Sequence, residues 1–193
     1  MMEKKFIKAT EEYCSREKHI AAPYLRRVFD LPFGVRKAEL LICGLGFYLL
    51  YLNGEEITKG ALAPYISNPD DYCYYDTYDL TARLRRGKNV IGIVLGNGFM
   101  NSLGGYVWDA DSAAWRGAPR VALELTVEGE NGERLALEAD TEFRTAPSPI
   151  LFDDLHYGEY YDARRRLDGW NLPEYDDSGW AHALSAEPPR GAF

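Results

Sequence analysis

The chain has 193 residues, 46% of them apolar and 27% charged, which is enough side-chain area for one sizeable core and too apolar for wholesale disorder. Acidic residues outnumber basic ones by 30 to 22, for a formal charge of −8. That field repels phosphate, so neither nucleic acid nor an anionic membrane is expected as a partner. The opening Met-Met-Glu-Lys-Lys-Phe-Ile-Lys has no apolar run after its charges and no small-residue cleavage site, and no later stretch approaches the roughly 18 apolar residues of a membrane helix. The expectation is a soluble, cytoplasmic chain.

Fourteen Tyr, eight Phe and four Trp favour strands, because large flat side chains fit a pleated, half-buried surface. In chain order the strand candidates are Tyr24 to Leu31, Lys37 to Gly44, Phe47 to Leu52, Tyr72 to Tyr78, Asn89 to Leu95, Arg120 to Val127, Glu142 to Ala146 and Tyr157 to Ala163. Turn clusters separate them: Asn53-Gly54, Ser67-Asn68-Pro69-Asp70-Asp71, Arg86-Gly87-Lys88 and Gly129-Glu130-Asn131-Gly132. Asn-Gly tolerates positive φ at both central turn positions, so residues 53 and 54 are expected to reverse the chain. One helical turn is expected at Leu80 to Leu84, capped by Asp79 or Thr81. Short strands with frequent turns are the rhythm of an all-β sandwich over residues 1–164. Residues 165–193 lose that periodicity, gather Pro173, Pro188 and Pro189, and read as an extended tail or linker.

From Lys37 to Trp180 a set of short motifs occurs in a fixed order. These are Gly44-Leu45-Gly46-Phe47-Tyr48 running into Tyr51-Leu52-Asn53-Gly54, then Leu62-Ala63-Pro64, Tyr75-Asp76-Thr77-Tyr78-Asp79-Leu80-Thr81 and Gly87-Lys88-Asn89. They continue with Leu95-Gly96-Asn97-Gly98-Phe99, and with Tyr157-Gly158-Glu159-Tyr160-Tyr161-Asp162-Ala163-Arg164 before Gly169-Trp170. In this order and spacing the chain resembles the N-terminal domain of bacterial α-L-rhamnosidases. The resemblance implies a jelly-roll-like β-sandwich, an accessory role beside a separate (α/α)6 catalytic barrel of the same polypeptide, and a rhamnose-containing carbohydrate as partner. It departs from the family at two places: Tyr65-Ile66-Ser67 stands for a usual Gly-Trp-Thr, and Phe99 for a usual Trp.

Glycoside hydrolysis normally uses two carboxyl groups about 5 to 10 Å apart. Glu159 and Asp162 are the sequence-adjacent candidates, but an odd spacing on a strand sends their side chains to opposite faces. No catalytic residue is therefore expected. Glu159, Asp162 and Arg164 read as structural, with Asp162 and Arg164 paired at i, i+2. A sugar site needs aromatic faces for C–H groups and amides or carboxylates for hydroxyls. The non-periodic segment from Asn97 to Arg116 supplies both, with Asn97, Asn101, Trp108, Asp109 and Trp115 as the candidate contacts; the alternative is that Trp108 and Trp115 pack this loop onto the sandwich or onto the catalytic barrel. No cofactor is required. If an ion is used it is calcium, at Asp109 and Asp111, since some rhamnose-binding modules resembling this domain hold the sugar through calcium. His19, His156 and His182 are scattered, and Cys14, Cys43 and Cys73 lack zinc spacing, so they read as three inert or buried thiols.

Overall fold

A computed structural model describes residues 5–103 and 112–192. Fourteen strands follow in chain order among these residues: β1 Phe6–Lys8, β2 Pro23–Leu31, β3 Val35–Leu45, β4 Tyr48–Leu52, β5 Glu55–Glu56, β6 Asp76–Asp79 and β7 Gly87–Leu95. The second half carries β8 Arg120–Gly129, β9 Arg134–Glu138, β10 Arg144–Pro147, β11 Ile150–Asp154, β12 Gly158–Tyr161, β13 Ala181–His182 and β14 Leu184–Ala186. One sheet runs β14-β1-β8-β3-β6, with β9 also on β8; the other runs β13-β10-β2-β7-β4-β5; β11 and β12 form a separate hairpin.

The two six-stranded sheets face one another through alternating residues. Along β8, Val121, Leu123, Leu125 and Val127 are all 2% exposed or less, and along β3 Ala38, Leu40 and Ile42 join them. Leu25 and Leu31 of β2, Leu50 and Leu52 of β4, and Ile91, Ile93 and Leu95 of β7 answer from the other sheet. A period of two makes one apolar face per strand, and two such faces bury each other. Register follows from the same alternation: Leu40 lies opposite Leu125 and Ile42 opposite Leu123.

The expected reversal at Asn53-Gly54 forms, with φ of 51° and 93°, and Leu52 pairs with Glu55 across it. Asn53 also ties the turn to β7: its Oδ1 accepts from Val90 N at 2.9 Å and its Nδ2 donates to Asn89 Oδ1 at 2.9 Å. At Leu80 to Leu84 a single turn closes, with Leu84 N donating to Leu80 O, and the Asp79 carboxylate accepts from Thr81 N at 2.9 Å.

The strand expected from Tyr72 begins only at Asp76. Tyr72, Tyr74 and Tyr75 are 43–49% exposed, and Cys73 N donates instead to Ala192 O at 2.8 Å. Six strands were not among the candidates: β1, β5, β9, β11, β13 and β14.

The segment read as an extended tail from residue 165 lies along the sandwich as far as residue 192, through a run of turns over 167–180 and then the short strands β13 and β14. Trp170 stacks on Tyr24 with ring centroids 4.2 Å apart, over the outer face of β2 and β7. Gly92 on β7 is what lets it approach, because a Cβ there would come within 2.8 Å of the indole. Farther on, β13 pairs with the edge strand β10 and β14 with the edge strand β1, so this segment adds an outer strand to each sheet. Edges that would otherwise present unpaired backbone groups are covered.

Candidate functional site

The loop that leaves β7 is anchored to the β11–β12 hairpin by two adjacent aspartates. Asp153 Oδ1 accepts from Asn97 N at 2.7 Å, and Asn97 Nδ2 donates to the Asp153 carbonyl at 2.8 Å. Asp154 Oδ2 accepts from Leu103 N at 2.8 Å and Ser102 Oγ at 3.3 Å, while its Oδ1 accepts from His156 N at 2.8 Å. The two carboxyl groups are shifted in opposite directions. Burial, then the negative charges of Glu159 and Asp154, push Asp153 up to about 6 against the hydrogen bond from Asn97. Backbone N–H donors from Leu103, His156 and Tyr157 bring Asp154 down, overcoming the larger opposing effect of its burial.

This anchoring decides where the expected sugar residues sit. Asn97 and Asn101 are 5% and 1% exposed, and Asn101 Nδ2 donates to Asn97 Oδ1 at 2.9 Å. Their amides hold the loop together beneath the surface and present no face to a ligand in solvent. Trp108, Asp109 and Asp111 lie outside the described residues. Trp115 is brought instead against Met100, Leu45 and Cys73, in a satellite cluster on the outer side of β3.

Trp115 is a wall shared by two adjoining hollows of about 40 Å³ and about 240 Å³. The smaller is lined by Pro64, Tyr65, Ile66, Tyr74 and Phe99, among others; the larger adds Asp70, Arg116, Arg120 and Arg190. Tyr65 is 84% exposed and meets Tyr74 edge to face, with centroids 6.4 Å apart. The two departures from the family pattern noted above, Tyr65-Ile66-Ser67 and Phe99, therefore stand on the rim of one surface. The arrangement offers aromatic faces and Met100 for C–H groups, with carboxylate and guanidinium groups for hydroxyls. Arg120 Nη1 donates to the Glu187 carbonyl at 2.7 Å, and burial draws its guanidinium pKa down.

No group of three or more His, Cys, Asp and Glu side chains converges on a metal-sized position among the described residues. All three cysteines are buried, and the neighbouring Cys73 thiol together with burial pushes the Cys43 thiol up, which leaves it unreactive at neutral pH. The expected Asp162–Arg164 pair forms bidentately, at 2.8 and 2.9 Å, and holds the Asp162 carboxyl down at about 2. Glu159 is not part of it. It lies directly opposite Asp153 across the β11–β12 ladder. Sequence parity separated Glu159 from Asp162 but could not bring in Asp153, whose partner depends on the hairpin register.

Residues 34–193 match the α-L-rhamnosidase N-terminal domain family. An α-L-rhamnosidase of Formosa agariphila is 37% identical over 172 residues, covering 87% of this chain and 18% of that protein. The structure of an α-L-rhamnosidase from Dictyoglumus thermophilum superposes with a TM-score of 0.83 at 32% identity, over 98% of this chain and 22% of that one. That of the Streptomyces avermitilis α-L-rhamnosidase, solved in complex with L-rhamnose, gives 0.82 at 31% identity, over 89% and 17%. The chain thus spans about a fifth of the length of these relatives. A sandwich of this topology, carrying the ordered motifs from Lys37 to Trp180 and matched along residues 34–193, belongs to the N-terminal domain family of the α-L-rhamnosidases.

Proposed function

We propose that this domain is a non-catalytic accessory domain of an α-L-rhamnosidase and that it contributes to recognition of the L-rhamnose-containing glycoside. The observation that carries the reading is the surface around Trp115, where Tyr65, Tyr74, Phe99 and Trp115 gather beside Asp70, Arg116 and Arg120. A deoxysugar has a methyl group and C–H faces to be covered and only a few hydroxyls to be bonded, which matches a site with more aromatic than charged lining. Trp108, Asp109 and Asp111, which lie outside the described residues, are proposed as further sugar contacts, with calcium held at Asp109 and Asp111 if an ion takes part. A single monosaccharide has few atoms, so affinity in the millimolar range is expected.

The test is titration of the 193-residue chain with L-rhamnose, with and without calcium, followed by amide and indole chemical shifts. Saturable changes at Trp115, Met100 and the 64–67 segment that disappear in Trp115→Ala support the reading. Changes confined to other surfaces, or none at any sugar concentration, would favour a packing role against the catalytic barrel.

A further inference from the structure

A further hollow, of about 320 Å³, shares Phe47 with the Trp115 surface and lies against Leu62 of the 60–64 loop and the β11–β12 hairpin. Its walls are apolar: Phe47, Leu62, Val94 and Ile150. Leu62 stands at the rim, 60% exposed and in the left-handed region with φ of 57°. At one end are two carboxylates, Asp153 and Glu159, opposite each other in the antiparallel ladder.

Directly opposed like charges destabilise a ladder unless something neutralises them. Among the described residues nothing of opposite sign does. Asp153 accepts only from amide groups, those of Asn97 and the Gly98 backbone, and its acidic neighbours are Asp154 and Glu159. The arginines that follow β12 are engaged elsewhere, Arg164 with Asp162 and Arg166 with Asp168. A carboxyl pushed up to about 6 is still mainly ionised at pH 7, so a shared proton does not relieve the pair there.

We propose that this groove is a docking slot for an arginine side chain presented by an adjoining polypeptide domain, with the guanidinium held between Asp153 and Glu159. Opposed residues in an antiparallel ladder have Cβ atoms about 5 Å apart. A planar guanidinium spans that distance with donors directed at both carboxylates, whereas an ammonium is a single point charge. The apolar walls accept the aliphatic stem behind the charged head. The adjoining domain as the source rests on the accessory-domain reading, since the relatives carry about four-fifths of their length outside the matched region.

The probe is N-acetyl-L-arginine amide, titrated into the 193-residue chain at neutral pH and physiological ionic strength, with the matching lysine amide and L-rhamnose in parallel. The expected result is a saturable shift of the Gly96, Gly98, Gly158 and Glu159 amides by the arginine probe, in the millimolar range, with a fall in the Asp153 carboxyl titration midpoint. Glu159→Gln should weaken this about tenfold, as loss of one charge-assisted hydrogen bond does. Leu62→Ser should weaken it too, and Glu174→Gln, on the exposed tail, should not. Shifts spread evenly over the acidic surface, equal binding of the lysine probe, or rhamnose moving the same amides would each overturn the proposal. Because the reporters differ from Trp115 and Met100, failure here and failure of rhamnose recognition are read separately.

Discussion

Arg26 is fully buried on the outer face of β2, and its partners all come from the C-terminal segment: the Asp177 carboxylate, the Leu172 carbonyl at 2.9 Å and the Tyr175 carbonyl at 3.4 Å. Removing one partner of a buried ion pair costs more than the pair itself contributes, because the remaining charge is left in a medium that solvates it poorly. Asp177→Ala is therefore expected to destabilise the chain by about 2 to 4 kcal/mol in urea unfolding, the two carbonyls softening the loss. Asp153 makes a pH-dependent contribution of the opposite kind. Its folded pKa, raised to about 6 chiefly by burial, lies above the unfolded carboxylate value, so the folded state binds the proton more tightly. Its ionised form is a constant penalty above about pH 6, and the penalty is relieved as pH falls toward 4. The difference in unfolding free energy between the native chain and Asp153→Asn should thus move in favour of the native chain by about 2 to 3 kcal/mol between pH 7 and pH 4. A difference that stays flat over that window would show that Asp153 is not held in a desolvated site.

Hairpins were the elements most open to reading from residue type. Asn53-Gly54 combines a residue that tolerates φ of 51° with one that takes 93°, and the side chain of Leu172 lies 2.7 Å from where a Gly54 Cβ would stand. Gly54→Val adds a strained backbone and a steric conflict, so a loss of about 1 to 3 kcal/mol in thermal unfolding is expected. Long strands were equally legible, since Val121, Leu123, Leu125 and Val127 declare a buried face by alternation alone. What escaped had physical causes. The strands β13 and β14 have two and three residues, and exist because edge strands β10 and β1 offer backbone groups to pair with. The tyrosines before Asp76 have strand-forming side chains but stay exposed, because Cys73 bonds to the returning C-terminal segment instead of to a sheet. Asn97 and Asn101 have the right chemistry for sugar, yet the anchoring aspartates that draw them inward, Asp153 and Asp154, are more than 50 positions away. Asp153 meets Glu159 only through the register of the β11–β12 hairpin, which no spacing along the chain discloses.

Taken whole, the molecule is a sandwich that its own C-terminal segment closes. Residues 166–180 cover Tyr24, Val94 and Arg26 on one outer face, and residues 181–186 extend both sheets. A chain ending at Arg164 would expose a buried arginine, the Trp170 contact surface and two sheet edges, so it is expected to lose its cooperative thermal transition. A cooperative melt close to that of the full chain would show that residues 165–193 are dispensable. In the function proposed above, this domain recognises a rhamnoside without cleaving it. The most direct test is hydrolysis of a chromogenic α-L-rhamnoside by the purified 193-residue chain. Chromophore release is expected at the rate seen in buffer, for the native chain and for Glu159→Gln alike; turnover well above buffer that Glu159→Gln abolishes would overturn the non-catalytic reading and make the Asp153–Glu159 pair a hydrolytic centre.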